Sequence, residues 1–255
     1  MAINGSNDMQ TNIIEFPAVT QSCGDCDWAD CCVSRGLSHD RNKDPESSRT
    51  IAYRRNDHLF LQGDVLSSLY FLRSGSAKSV VSTRSGSERI VGFHFPGDLI
   101  GFDGMTSGHH QSTTIALDTS GVCRVPLSKL KSESVINMAL LEEVLRSVAN
   151  EVGEKQNYGL LLGQKSVHAR FAAFLCYLSS KYASRGCSGA EFNLSMSRQD
   201  IANYLSMAVE TLSRLIGDFQ EKGLVKVERR FVRITDVRAL KEISQADNCA
   251  AVSYG

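Results

Sequence analysis

Hydrophobic residues between positions 49 and 133 occur in short runs separated by turn-forming residues. The runs lie at 69–72, 79–81, 89–91 and 115–117, and the turn signals lie at 63–64, 74–75, 85–86 and 96–98. Many short strands divided at this spacing are typical of antiparallel sheets packed face to face. The pattern therefore predicts an antiparallel β-roll of the jelly-roll type over residues 49–133.

A different pattern follows in a proline-free stretch from about 134 to 162. Its positions alternate steps of three and four, as in a helix that pairs with another helix. They are Met138, Leu141, Leu145, Val148, Val152, Lys155, Gly159 and Leu162. We expect a dimerisation helix over 134–164, and a helix packed on its own sheet is the alternative. Lys155 and Gly159 weaken the second half of the seam, because burying an ammonium costs free energy.

Residues 165–255 combine helical periodicity with one hairpin pattern. The predicted elements are helices over 166–182, 197–205 and 209–220, a tight turn at 206–208, and strands over 224–227 and 231–234. Two helices joined by such a turn have the length and rhythm of a helix-turn-helix. The hairpin carries a basic tip and makes the whole segment a winged helix-turn-helix DNA-binding domain.

The helix over 209–220 has one face that can bury and one that carries polar groups. Glu210, Ser213 and Arg214 lie on the polar face near its N-terminal end, where a recognition helix meets base edges. Arginine can pair with guanine through two hydrogen bonds, and glutamate can accept one from cytosine. Glu210 and Arg214 could equally form a surface salt bridge. The hairpin that follows favours DNA binding.

The charge of the 255-residue chain is balanced overall but unevenly distributed. Lysine and arginine total 28, as do aspartate and glutamate, yet residues 165–255 contain 13 basic and 9 acidic side chains. A basic C-terminal part agrees with a polyanionic partner. The chain has no apolar run that could span a bilayer and no secretory signal, so we expect a cytoplasmic protein without a membrane partner.

Four of the eight cysteines lie between positions 23 and 32, namely Cys23, Cys26, Cys31 and Cys32. Structural disulfides are rare in a reducing compartment, so clustered cysteines there indicate metal ligands or redox-active thiols. The spacing suits an iron-sulfur cluster and a zinc site about equally. No nucleophile elbow, phosphate loop or paired acid and base supports an enzyme.

A β-roll, a long helix and a winged helix, in this order, resemble the CRP/FNR superfamily of bacterial transcription regulators. Residues 209–214 read Val-Glu-Thr-Leu-Ser-Arg, which is similar to the recognition helix of the FNR branch. The resemblance implies an α+β, cyclic-nucleotide-binding-like fold. It also implies a homodimer that binds double-stranded DNA, with Glu210, Ser213 and Arg214 reading a TTGAT-like half-site and its inverted copy, and it implies RNA polymerase as a partner.

Cyclic-nucleotide binders of this fold supply an arginine to the cyclic phosphate. The comparable stretches here, 100–105 and 110–116, contain no arginine. Residues 92–110 instead look FNR-like almost throughout. The resemblance therefore implies that the protein binds no cyclic nucleotide.

FNR-type sensors hold an oxygen-labile 4Fe-4S cluster through three cysteines spaced C-x2-C-x5-C and a fourth in the sheet domain. Cys23, Cys26 and Cys32 match that spacing, and Cys123 matches the distant position. Cys31 could replace Cys32. The resemblance implies a global regulator with an N-terminal cluster-binding segment over 1–48, which binds DNA while the cluster is intact and releases it when oxygen degrades the cluster. A structural zinc or a redox-thiol site at the same cysteines is the alternative.

Overall fold

The computed structural model describes residues 50–83, 86–128, 138–163 and 166–245. Within these ranges the N-terminal domain has eight strands: β1 Thr50–Tyr53, β2 His58–Phe60, β3 Ser68–Ser74, β4 Ala77–Ser82, β5 Glu88–His94, β6 Leu99–Ile100, β7 Thr113–Ala116 and β8 Ser120–Pro126. They pair antiparallel in two sheets, with the orders β1-β8-β3-β6 and β2-β7-β4-β5. The predicted antiparallel β-roll is confirmed.

The alternation of side chains along the strands gives the first sheet two apolar faces. One face packs with the second sheet, where Phe60, Tyr70, Leu72 and Val122 share an inner core. The opposite face carries a second cluster formed by Leu69, Phe71, Leu99, Cys123 and Val125. Val144 of the long helix packs against this outer cluster, so the helix begins over the face that carries Cys123.

The long helix α1 spans Met138–Gly163, and α2 spans Val167–Ala183. The face of α1 that points to solvent includes Leu145, Val152 and Leu160, which are 58%, 50% and 68% exposed. Two members of the predicted seam lie elsewhere. Lys155 donates to the backbone carbonyl of Val91 (3.3 Å), and Leu162 packs against a third, larger cluster that contains Phe93 and Phe174. A helix with 3.6 residues per turn drifts from a strict 3.5-residue repeat, which moves later seam positions towards the chain's own sheet.

The C-terminal domain is a winged helix-turn-helix, as predicted. Its elements are β9 Glu191–Asn193, α3 Arg198–Tyr204, α4 Val209–Glu221, β10 Val225–Glu228, β11 Phe231–Ile234 and α5 Val237–Gln245. Ser197 and Asp200 form a capping box at the start of α3. β9 joins the wing hairpin in a sheet of order β10-β11-β9. Neither β9 nor α5 was predicted.

One hydrophobic cluster joins the two domains. It runs from Phe93 and Phe95 of the β-roll through Phe174 of α2 to Leu205 and Leu212 of the helix-turn-helix. The DNA-binding domain is therefore packed against the β-roll through a shared apolar core. Within the described ranges, no helix has the length and apolarity needed to cross a membrane.

Candidate DNA interface and cysteine site

Helix α4 presents the side chains predicted to read DNA. Its buried face consists of Leu212, Leu215, Ile216 and Phe219. Burial of these four side chains fixes the rotation of the helix, because apolar groups at such spacing face the core together. The opposite face therefore points to solvent.

On this solvent face Glu210 and Arg214 are exposed and Ser213 is half-buried. Glu210 and Arg214 form no ion pair within 4.0 Å in the described part of the chain, so the salt-bridge alternative is not supported. The N-cap residue Ala208 makes no side-chain hydrogen bond to the helix. Three polar side chains and the first turn of α4 thus face outward at the same end.

The wing supplies positive charge beside the recognition helix. Arg229 and Arg230 form the exposed tip between β10 and β11. The backbone of Arg229 has a φ of 55°, in the left-handed region. Residues other than glycine, asparagine and aspartate adopt this conformation at some cost. Arg233 pairs with Glu191 at 2.8 Å and is thereby held along the sheet. The tip is suited to contacting phosphate groups.

Cys123 lies where the N-terminal segment joins the β-roll. It is 8% exposed and lies directly opposite Thr50, the first residue of β1, with Thr50 Oγ1 3.6 Å from its sulfur. Cys32 precedes Thr50 by 18 positions, and an extended chain of that length reaches about 60 Å. The connection is therefore long enough to bring the N-terminal cysteines to Cys123. Cys23, Cys26, Cys31 and Cys32 lie outside the described residues.

The other described cysteines occupy different places. Cys176 is half-buried in α2, and burial raises the pKa of its thiol. Cys187 is exposed in the loop after α2. Within the described ranges, no three histidine, cysteine or acidic side chains are grouped in a way that could hold a metal ion.

The loop between β6 and β7 is closed by an internal carboxylate. Asp103 accepts hydrogen bonds from His110 Nδ1 (3.0 Å), the backbone N–H groups of Gln111 and Ser112 (3.0 and 2.9 Å) and Ser112 Oγ (2.7 Å). Burial raises the pKa of Asp103, but the hydrogen bonds from His110 and Ser112 outweigh it and hold the pKa below its usual value. The side chain is an anion that stabilises its own loop.

A cavity of about 330 Å³ lies between this loop, the second sheet and α1. Asp103 and Glu151 line it together with Lys155, His94 and Tyr158, and burial raises the pKa of Glu151. No arginine is among the described residues that line it. Its walls thus combine two carboxyl groups with one ammonium group.

Comparisons with known proteins match both domains. Residues 50–133 match the cyclic nucleotide-binding domain family, and residues 169–243 match the Crp-like helix-turn-helix domain family. The fumarate and nitrate reduction regulatory protein of Escherichia coli K12 is 40% identical over 87% of this chain and 90% of its own length. The chain belongs to the CRP/FNR superfamily of transcription regulators.

Further matches agree with this membership. Electron transport regulator A of Shewanella oneidensis is 39% identical over 84% of this chain and 86% of its own. The structure of FixK2 from Bradyrhizobium japonicum matches with TM-score 0.68 and 24% identity, covering 77% of this chain and 96% of that one. The structure of a CooA mutant from Carboxydothermus hydrogenoformans matches with TM-score 0.64 and 17% identity, covering 78% of this chain and 88% of that one. The two structures support the fold, and the FNR-type relatives make this chain a DNA-binding transcription regulator of a dimeric family.

Proposed function

We propose that this regulator responds to oxygen. It binds an inverted repeat of TTGAT-like half-sites as a homodimer when it holds an intact 4Fe-4S cluster, and it releases the DNA after exposure to oxygen. The observation that carries the proposal is the position of Cys123, buried on the outer face of the first sheet beside Thr50 and beneath the start of α1. A group bound at this sulfur would lie next to the helix that we assign to dimerisation.

The ligands in this proposal are Cys23, Cys26, Cys32 and Cys123, with Cys31 as a substitute for Cys32. Four thiolates are the donor set that a 4Fe-4S cluster takes. The described part of that set fits, because Cys123 is buried in an apolar cluster and the chain that leads to the other cysteines begins opposite it. The bound cluster would supply an oxygen-labile link between the N-terminal segment and the sheet.

DNA reading is assigned to the exposed face of α4. Arg214 can donate two hydrogen bonds to a guanine, and Glu210 can accept one from a cytosine. The hydroxyl of Ser213 can donate a hydrogen bond to a base or accept one from it. The wing arginines Arg229 and Arg230 would contact phosphates and so position the helix without reading sequence.

Dimerisation is assigned to the outward face of α1. Leu145, Val152 and Leu160 are large apolar side chains exposed on one helix, and a second copy of the same helix would cover them. A dimer places two recognition helices on successive major-groove faces of an inverted repeat, so a monomer would reach one half-site alone. RNA polymerase is the further partner that we propose, through loops near residues 82–87 and 183–189.

We also propose that the β-roll binds no cyclic nucleotide. The backbone N–H groups of Gln111 and Ser112, which could bind a phosphate, already donate to Asp103. Asp103 and Glu151 both line the cavity, and a ligand phosphate would meet their negative charge at close range. This cavity is therefore a poor phosphate site.

The test of the oxygen response begins with protein purified without oxygen. We expect a brown protein with about four irons and four acid-labile sulfides per chain, as a 4Fe-4S cluster requires. Air should bleach it and weaken its binding to a TTGAT inverted repeat in parallel. Cys123→Ser should abolish the colour, whereas Cys187→Ser, at an exposed loop position, should leave it unchanged. A colourless protein with one zinc, binding the same DNA with or without air, would show that the oxygen proposal is wrong.

A further inference from the structure

A contact that the proposed function does not use joins the β-roll to the helix-turn-helix. Among the described strands, β5 lies at the edge of its sheet, so its outer N–H and C=O groups face no other strand of that part of the chain. The side-chain amide of Asn203 accepts a hydrogen bond from the backbone N–H of Ile90 (2.8 Å) and donates one to the carbonyl of Glu88 (2.9 Å). Asn203 therefore satisfies two groups that another strand would otherwise pair.

Two further polar contacts attach the same helix-turn-helix to the β-roll. The ammonium of Lys78 lies 2.5 Å from the carboxylate of Asp200, at the start of α3. The guanidinium of Arg89 donates to the hydroxyl of Ser206, in the turn after α3. Asp200 and Asn203 lie three residues apart on α3 and so share one helix face, and Ser206 follows in the turn. Attachment at two points on the helix and one in its turn restrains rotation of the helix.

The long helix takes part in the same junction. Arg89 Nε also donates to the hydroxyl of Tyr158 in α1 (3.3 Å), and that hydroxyl lies 3.2 Å from the carbonyl of Ile90. The ring of Tyr158 stacks on Tyr204 with centroids 4.5 Å apart, and Phe93 lies 5.0 Å from Tyr204. An apolar centre with a hydrogen-bonded rim thus connects β5, α1 and α3.

We infer that Asn203, together with Arg89, is a positioning residue that sets the angle between the recognition helix and the dimerisation helix. α3 and α4 move as one unit, because Leu205 and Leu212 between them are fully buried. α1 carries both Tyr158 and the outward dimer face. One path from the dimer axis to the recognition helix therefore passes through this junction, beside the path through α2. The inference rests on the proposed dimer of α1 and on DNA binding by α4.

The angle matters because two half-sites have a fixed geometry. Each base pair added between them moves one half-site by about 3.4 Å and turns it by about 35°. A dimer whose recognition helices are held at one angle can meet one spacing well and its neighbours poorly. A dimer whose recognition helices can change their angle should bind half-sites at several spacings.

The experiment measures binding of the anaerobically prepared full chain to TTGAT inverted repeats whose spacers differ by one base pair. We expect wild type to prefer one spacing over its neighbours by at least about tenfold, and Asn203→Ala to reduce this preference below about threefold. Asn193→Ala removes an exposed amide from β9 and should keep the wild-type preference. If Asn203→Ala loses affinity equally for all spacings and keeps the preference, the positioning role is wrong.

A second readout does not depend on DNA. Hydrogen exchange of the peptide that covers β5 should become at least about tenfold faster in Asn203→Ala, because the N–H of Ile90 loses its acceptor, while the core of α4 stays protected. If Asn203→Ala does not fold, Arg89→Ala takes its place in the test. This variant removes a half-buried side chain from the rim and should show the same reduced preference for one spacing. Wild-type protection of β5 in Asn203→Ala overturns the inference. Failure of wild type to bind any TTGAT repeat would instead overturn the proposed function.

Discussion

His94 is a half-buried histidine of β5 whose surroundings favour the neutral ring. Its Nε2 lies 2.7 Å from Ser79 Oγ, which lies 2.9 Å from Thr114 Oγ1. Burial lowers the pKa of His94 to about 4; Asp98 opposes this effect, and Lys155 and Lys181 reinforce it. The imidazole thus serves as an uncharged hydrogen-bonding group within the second sheet, at the cavity that α1 also lines.

This position predicts a loss of stability in mild acid. The unfolded chain binds a proton at His94 near pH 6.5 and the folded chain near pH 4, so the stability present above about pH 6.5 is lost as the pH falls towards 4. We expect about 1–2 kcal/mol of this loss between pH 7 and pH 5. Urea unfolding of His94→Gln should lose that part of the pH dependence, and His58→Gln, at an exposed position, should retain it. Equal pH profiles for wild type and His94→Gln would contradict the assignment.

Arg229 combines backbone strain with a charge at the wing tip. Arg229→Gly removes both, because glycine adopts a left-handed φ readily. We expect stability to stay level or rise by up to about 1 kcal/mol. DNA affinity should fall for all sequences alike, and the slope of log affinity against log salt should shrink by about 1. Arg238→Gly is the control, because it removes one positive charge at an exposed position on α5, outside the wing. A sequence-dependent loss in Arg229→Gly would mean that the wing reads bases.

At the scale of elements, α1 gives the clearest comparison of sequence with structure. Its existence follows from the spacing of hydrophobic residues. The direction of each seam position does not, because Lys155 and Leu162 turn to the chain's own sheet and core while Leu145 and Val152 point outward. A repeat of three and four positions fits both the partner helix and the β-roll, and contacts distant in sequence decide between them.

The outward face of α1 predicts the effect of a charge at its centre. Val152→Glu would place a carboxylate between two copies of α1, where desolvation is costly. We expect the dimer dissociation constant to rise at least about 100-fold, which corresponds to about 2.7 kcal/mol. Analytical ultracentrifugation without oxygen measures it. Asn157→Glu is the control, since Asn157 is exposed and lies about 140° around the helix from Val152. A dimer unaffected by Val152→Glu would place the interface on another surface.

At the scale of the whole molecule, local sequence patterns predict the domains better than they predict the contacts between the domains. The spacing of strands, the helix-turn-helix rhythm and the motif over 209–214 are all short-range signals. Asn203 carries no such signal, because its partners Ile90 and Glu88 lie 113 and 115 positions away along the chain. Cys123 is an intermediate case. A family pattern singles it out, but its place opposite Thr50 depends on strand pairing.

The shared core predicts that the β-roll and the DNA-binding domain unfold together. Phe93 is 1% exposed. Its ring centroid lies 5.0 Å from that of Tyr204 and 6.2 Å from that of Phe174, so this β-roll side chain is also part of the core of the DNA-binding domain. Phe93→Ala should cost about 3–5 kcal/mol, because the cavity it leaves lies at the junction. It should also separate one calorimetric transition into two, since each domain keeps its own core while the link between them is lost. Phe231→Ala, half-buried on the wing, should keep a single transition. One coincident transition in Phe93→Ala would mean that the polar contacts of Asn203, Asp200 and Arg89 suffice to couple the domains without the aromatic centre.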